Sequence, residues 1–304
     1  MRESYSAWRK AELHLHLEGS VEPRTMRELA PDLSPQQIEE LYRFEDFQGF
    51  LMCFKRVVER LRKPEDYALV TRRLLAQLAE EHVEYAEITI SAGVVLWKKQ
   101  DFAAVYEAIR ESAQGSATQV RWILDAVRHF GVEHAMAVAR LAAERVEDGV
   151  VAFGIGGDEA RGPAEWFTEV FQFARDSGLR LTAHAGESAG PESVWGALRI
   201  GAERIGHGIR SIEDPELVGY LREQDVPLEV CITSNLATGA VGSLNEHPVR
   251  QLFEAGVPII LNTDDPALFG ASLSGEFELA ATCFGFSEAE LRQIAANAFQ
   301  YAFK

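Results

Sequence analysis

Residues 12–19 read Glu12-Leu13-His14-Leu15-His16-Leu17-Glu18-Gly19. A large apolar residue alternating with a polar one marks a strand, whose side chains leave from its two faces in turn. His14 and His16 therefore share one face, with Leu13, Leu15 and Leu17 on the other and Gly19 closing the run. Two imidazoles side by side on a strand face suit a metal site. They equally suit a buried pair satisfied by hydrogen bonds, or a partly solvated edge. The choice turns on whether distant segments supply further ligands.

Downstream of Gly19 the chain carries helix signals before any second strand. Ser34-Pro35 caps a helix over 36–41, and Asp46 caps another in which Phe47, Phe50, Leu51, Phe54, Val57 and Val58 fall at helical spacing. That stripe is either core or the underside of an apolar lid inserted after the first strand. A rhythm then sets in. Helices are expected over 66–81, 102–112, 133–145, 163–177, 192–200, 214–223 and 247–255. Strands are expected over 83–91, 120–127, 150–155, 179–185, 204–207, 227–233 and 257–262. Two helices, around 275–283 and 288–299, finish the chain. Eight strands, each followed by a helix, predict an α/β fold with a parallel sheet. At this length the pattern fits a closed (β/α)8 TIM barrel with a helical lid insertion, one domain over 1–304, better than the alternative of an open doubly wound sheet.

The 304 residues carry 30 Lys+Arg against 47 Asp+Glu, a net charge of −17, which opposes nucleic acid binding in the absence of a basic block. No run of 18 apolar residues suggests a membrane span, and the N-terminus does not read as a secretory signal. Cys53, Cys231 and Cys283 are widely spaced without a Cys-x-x-Cys, which suits a reducing, cytoplasmic setting. Oligomeric state is not encoded in any feature of the sequence.

In such barrels the site lies at the C-terminal ends of the strands. His14/His16/Glu18, Arg128-His129, Gly157-Asp158-Glu159, His184/Glu187, His207, Ser234-Asn235 and Asp264-Asp265 each fall at or just after the end of an expected strand. They therefore converge on one mouth. Taken singly, His184 reads as a hydrogen-bonded strand end and Asp264-Asp265-Pro266 as a turn. Taken together, His14, His16, His184 and Asp264 form a three-nitrogen, one-oxygen set suited to Zn2+ with a position left for water. Glu187 is then placed to shuttle a proton, and His207 to steady the attacking oxygen. Asp264 and Asp265, adjacent on an extended chain, are expected to face opposite sides. Arg128-His129 either lines the pocket or supports it.

The motifs His14-Leu-His16-Leu-Glu18-Gly19, His184-Ala-Gly-Glu187, Arg204-Ile-Gly-His207-Gly208 and Asn262-Thr-Asp264-Asp265-Pro266 together resemble the signature of the adenosine deaminase family within the amidohydrolases. The resemblance implies a hydrolase with one zinc per chain that replaces the C6 amino group of a small adenine-type purine with oxygen and releases ammonia. Carried over, it assigns zinc to His14, His16, His184 and Asp264, and protonation of ring N1 to Glu187. His207 and Asp264 would hold the attacking oxygen. Asp265 would meet N7 and the Gly157 N–H would meet N3, with Glu18 and His16 also on the substrate side. The Phe50/Leu51/Phe54 helix would match the family's apolar gate.

Two departures bear on the group at N9. Adenosine deaminases proper carry Asp where Glu18 stands, Glu being common in relatives acting on adenine. Thr89-Ile90-Ser91-Ala92 also replaces a more usual Arg-x-Ser-Pro. Adenosine or a related adenine nucleoside is the first expectation, with adenine or 6-aminodeoxyfutalosine as alternatives. A barrel hydrolase of amides or esters and a non-catalytic purine-binding barrel are the competing classes. A cytidine-type deaminase would need a Pro-Cys-x-x-Cys that is absent.

Overall fold

The computed structural model describes residues 5–304. Strands β1 (Lys10–His16), β2 (Val83–Ile90), β3 (Gln119–Val127), β4 (Val150–Gly156), β5 (Arg180–Ala185), β6 (Arg204–His207), β7 (Leu228–Val230) and β8 (Ile259–Leu261) form one sheet in sequence order. Every neighbouring pair is parallel, so the chain is a (β/α)8 TIM barrel, as the alternation predicts. The seam between β8 and β1 is joined differently. The Asn262 side-chain oxygen accepts the N–H groups of Leu13 and His14 at 2.8 and 3.1 Å. Beyond it, His16 N–H donates to Asp264 O and Asp264 N–H to His14 O, at 2.8 and 3.0 Å. Closing the barrel therefore sets Asp264 beside the two strand histidines.

Three helices, α1 (Pro23–Leu29), α2 (Pro35–Glu40) and α3 (Phe47–Val58), fill the insertion after β1. Ser34 forms a capping box with Gln37, and Asp46 caps α3 by accepting Gly49 N–H at 2.7 Å. The outer ring continues with α4 (Pro64–Glu80), α5 (Ala92–Trp97), α6 (Phe102–Ser112), α7 (Val132–Ala143), α8 (Thr168–Asp176), α9 (Pro191–Arg199) and α10 (Pro215–Glu223). It ends with α11 (Ile232–Ala237), α12 (Val249–Glu254), α13 (Pro266–Phe269), α14 (Leu273–Cys283) and α15 (Glu288–Gln300). Among the described residues no helix is long and apolar enough to cross a membrane.

Local expectation and structure part company in three places. The expected strand over 227–233 stops at Val230, and Ile232 already opens α11, because the Glu276 carboxylate from α14 accepts the N–H groups of Ile232 and Thr233 at 2.7 and 3.2 Å. A helix cap delivered from 44 residues away is invisible to local pattern. The helix expected over 163–177 begins as a 3-10 turn, Ala164–Phe167, before α8. Asp264 takes a left-handed φ of 64°, so the chain there is not extended and both aspartates turn toward the mouth.

The strand starts hold a buried ionic string. Arg204 Nε donates to Glu229 at 2.6 Å, its Nη2 reaches Glu87, and its guanidinium carbon lies 3.6 Å from the Phe303 ring centre. Tyr301 O accepts from Arg204 and Phe303 N–H donates to Glu87, so the last residues plug this end. Glu229 passes the string upward, accepting from His14 Nδ1 at 2.9 Å. Burial works to raise the Glu229 pKa, but Arg204 and His14 outweigh it and hold the group below its usual value.

Candidate active site

At the opposite end the strand termini deliver imidazoles and carboxylates to one point. His16 Nε2 lies 3.3 Å from His184 Nε2 and 3.3 Å from Asp264 Oδ1, and His14 Nε2 lies 3.4 Å from the same oxygen. All four donor atoms fall within 4.8 Å of one another. Tetrahedral ligands on bonds of about 2.0–2.1 Å stand about 3.3–3.4 Å apart, so the spacing suits a zinc-sized ion. Hydrogen bonding points the same way. His14 Nδ1 faces Glu229 and His184 Nδ1 faces Ile155 O at 3.2 Å, which leaves each Nε2 lone pair directed into the cluster. Among the described residues His14 Nε2 is buried with no hydrogen-bond partner, which suits a cation as its neighbour. Burial pushes the His16 pKa down to about 4 and that of His184 well below its usual value, which favours neutral rings there, whereas at His14 the Asp264 and Glu229 carboxylates outweigh burial and raise it to about 10. The donor set fits the metal.

Close approach here depends on glycine. A Cβ on Gly206 would stand 2.8 Å from His14 Cε1, and one on Gly19 would stand 1.7 Å from Asp265 Oδ1. Both strand-end glycines are therefore demanded by the side chains packed against them.

Around the cluster, Ser234 Oγ donates to Asp264 Oδ2 at 2.6 Å. His207 Nε2 lies 3.7 Å from Glu187 Oε2 and 3.8 Å from Asp264 Oδ2. A relay sets the His207 tautomer. Val249 N–H donates to His247 Nδ1 at 3.2 Å, which makes His247 Nε2–H the donor to Asn235 Oδ1 at 3.2 Å. The Asn235 amide then donates to His207 Nδ1 at 3.0 Å, leaving the His207 Nε2–H aimed at the cavity. Burial lowers the His207 pKa to about 4, so the ring is neutral. Glu187 moves the other way. Burial first, then the neighbouring Asp264 and Glu159, raise its pKa well above the usual carboxyl value. Glu159 also builds the turn that carries Glu187, its carboxylate accepting the N–H groups of Gly186, Glu187 and Ser188 at 2.8–3.0 Å.

His16, His184 and Asp264 of the cluster line one cavity of about 320 Å3 with Glu187, His207, Asp265, Gly157 and the α3 aromatics. Asp265 is buried with an unpartnered Oδ1, and burial followed by Asp264 raises its pKa well above the usual value. Glu18 departs from expectation. The chain turns immediately after β1, and the Glu18 carboxylate accepts Ser91 N–H at 3.1 and 3.2 Å instead of lining the cavity, which Ser91 does. Glu18 thus holds the backbone of Ser91 at the cavity wall. The Arg128-His129 pair divides. Arg128 is buried and donates to Gly162 O and His184 O, whereas His129 lines the cavity.

Sequence reasoning passed over Asp125, Glu229 and His247. Asp125 lines the cavity without a hydrogen-bond partner among the described residues, and burial pushes its pKa up to about 7. Gly154 and Gly156 make room for it, since a Cβ on either would stand 2.9 Å from an Asp125 oxygen. A lone acid inside an apolar strand, as in Trp122-Ile123-Leu124-Asp125 or Leu228-Glu229-Val230, was the available signal.

The sequence profile of the adenosine deaminase family matches residues 9–304. The chain is 42% identical to the aminodeoxyfutalosine deaminase of Streptomyces avermitilis, over 97% of this chain and 86% of the relative. It is 38% identical to the adenine deaminase of Rhizobium johnstonii, over 97% and 94% respectively. A crystal structure of an amidohydrolase from Burkhoderia ambifaria with bound Zn superposes with a TM-score of 0.92 at 28% identity, covering 100% of this chain and 88% of that one.

Proposed function

The chain belongs to the adenosine deaminase family, hydrolases acting on C–N bonds, and on that footing we propose that it deaminates 6-aminodeoxyfutalosine. Adenine is the second substrate in line. Adenosine, the first expectation from sequence, falls behind both, because the relatives described above are named for the other two. Three free cysteines, two of them buried, are in keeping with work in a reducing cytoplasm.

The observation that carries this reading is Glu187, a buried carboxyl whose pKa is raised by burial and by Asp264, on the same cavity as three members of the four-ligand cluster, His16, His184 and Asp264. Its raised pKa favours the protonated form, which donates its proton to ring N1 as C6 is attacked. His14, His16, His184 and Asp264 would hold one Zn2+ per chain. When bound, the ion supplies Lewis acidity that draws the pKa of water toward neutrality. His207 donates its Nε2–H to the attacking oxygen and so fixes its approach. Asp265, whose raised pKa favours the protonated form, donates to N7, and the Gly157 N–H donates to N3. The carboxylate left on Glu187 takes up the two protons of the attacking water in turn, passing the first to the amino group and keeping the second, so that the C6–N bond breaks, ammonia leaves and a C6 oxo group with a protonated N1 remains. The α3 aromatics over the cavity keep bulk water from the reacting centre.

The test is a comparison of kcat/KM for 6-aminodeoxyfutalosine, adenine and adenosine with zinc-loaded protein, followed by ammonia release and purine absorbance. The expected order is the order named. Turnover of simple amides or esters in preference to all three, or purine binding without turnover, would overturn it.

A further inference from the structure

The cavity has a second half that the chemistry above does not use. Beyond the base it runs between α3, the end of α5 and the turns after β3 and β4. Met52 and Trp97 line it and are 50% and 47% exposed, unusual for side chains of that size. The Trp97 and Phe130 rings lie nearly parallel, with centroids 6.0 Å apart and 18° between planes. Lys55 Nζ stands 5.7 Å from the Trp97 ring centre. Arg161 lines the same stretch, and neither cation has a carboxylate within salt-bridge distance among the described residues. The acid of this rim is Asp158, and its oxygens already accept from Gln48 at 3.2 Å and Ala160 N–H at 3.1 Å.

Two cations without a carboxylate partner among the described residues thus share the cavity's outer half with an exposed aromatic pair. We propose that this outer half is a subsite for an aromatic carboxylate carried on the N9 side of the purine. Trp97 and Phe130 take the flat ring, and Lys55 and Arg161 take the carboxylate. Aromatic faces offer stacking, and an ammonium and a guanidinium at the rim supply charge-assisted hydrogen bonds to an anion. A free base would leave all four side chains without contact. The inference rests on the deaminase reading and narrows its substrate class, since 6-aminodeoxyfutalosine carries its benzoate on the sugar of an adenine nucleoside.

The test uses the zinc-loaded Lys55→Met/Arg161→Met double variant and Trp97→Ala, each assayed on 6-aminodeoxyfutalosine and on adenine. The side chains are exposed, and thermal melting checks that folding is kept. The ratio of kcat/KM between the two substrates should fall roughly ten- to hundredfold in the double variant, mostly through KM, the size expected for charged hydrogen bonds. Trp97→Ala should lower the same ratio by a smaller factor. Equal losses on both substrates, or none, would overturn the subsite while leaving the deaminase reading intact. A wild type that turns over neither substrate would remove the deaminase reading itself.

Discussion

Two clusters of buried charge occupy opposite ends of one barrel, and their partners differ. At the strand starts Glu87 receives Arg204, Tyr85 and Phe303, and Glu229 receives Arg204 and His14. At the strand ends, among the described residues, His14 Nε2 and Asp265 Oδ1 have no hydrogen-bond partner, and the Glu187 carboxylate accepts a single 3.3 Å bond from Thr238. Buried polar groups in folded proteins are satisfied as a rule. Burial alone therefore does not mark a functional group. Unmet hydrogen-bonding capacity gathered around one cavity does, whereas Trp8 Nε1, Ser211 Oγ and the His134 ring are also buried without partners among the described residues but stand apart from it.

The contrast breaks first at Glu187. Glu187→Gln should lower kcat by about 10^2–10^4, the span of general acid catalysis, with zinc content and melting temperature near wild type. An unchanged kcat would place Glu187 with the structural acids. The same group predicts the pH profile. Its folded pKa stands above that of a free carboxyl, so the protonated, donating form survives below the raised pKa and is lost as pH rises through it. An alkaline limb in kcat/KM is expected for wild type; a limb lying near the pKa of a free carboxyl would contradict the assignment. At the other end, Arg204→Met should cost about 3–5 kcal/mol, because two buried carboxylates lose their counter-charge. Denaturant unfolding measures it. Activity per folded molecule should change far less, and a rate loss exceeding the stability loss would erase the contrast.

Much of the upper cluster is legible in the sequence because each ligand follows an apolar run that ends in polar or small residues. His184 after Leu181-Thr182-Ala183 and His207 after Ile205-Gly206 are placed by strand geometry alone. The lower cluster is not legible that way. Nothing local joins Glu87, Arg204 and Glu229, which lie 117 and 25 residues apart in their pairings. The same holds for the Glu276 cap that ends β7 early and for the turn that takes Glu18 off the cavity wall. Pattern shows what an element is. Which distant group satisfies its ends is decided by packing.

Glu229 belongs to both clusters, and the smallest expected effect comes from it. One oxygen binds Arg204 at 2.6 Å and the other orients His14 at 2.9 Å. Glu229→Gln keeps the shape but removes the charge from both contacts. Loss of a carboxylate behind a ligating imidazole weakens metal binding by about 10–100-fold, which zinc titration against a chelator reads directly. Arg204 keeps Glu87, so the stability loss should stay below that of Arg204→Met. Full loss of stability with unaltered zinc affinity would assign Glu229 wholly to the structural end. A zinc defect without any stability change would assign it wholly to the site. The intermediate outcome is the expected one, because a single carboxylate spans the boundary between the charges that hold the barrel and those that work in it.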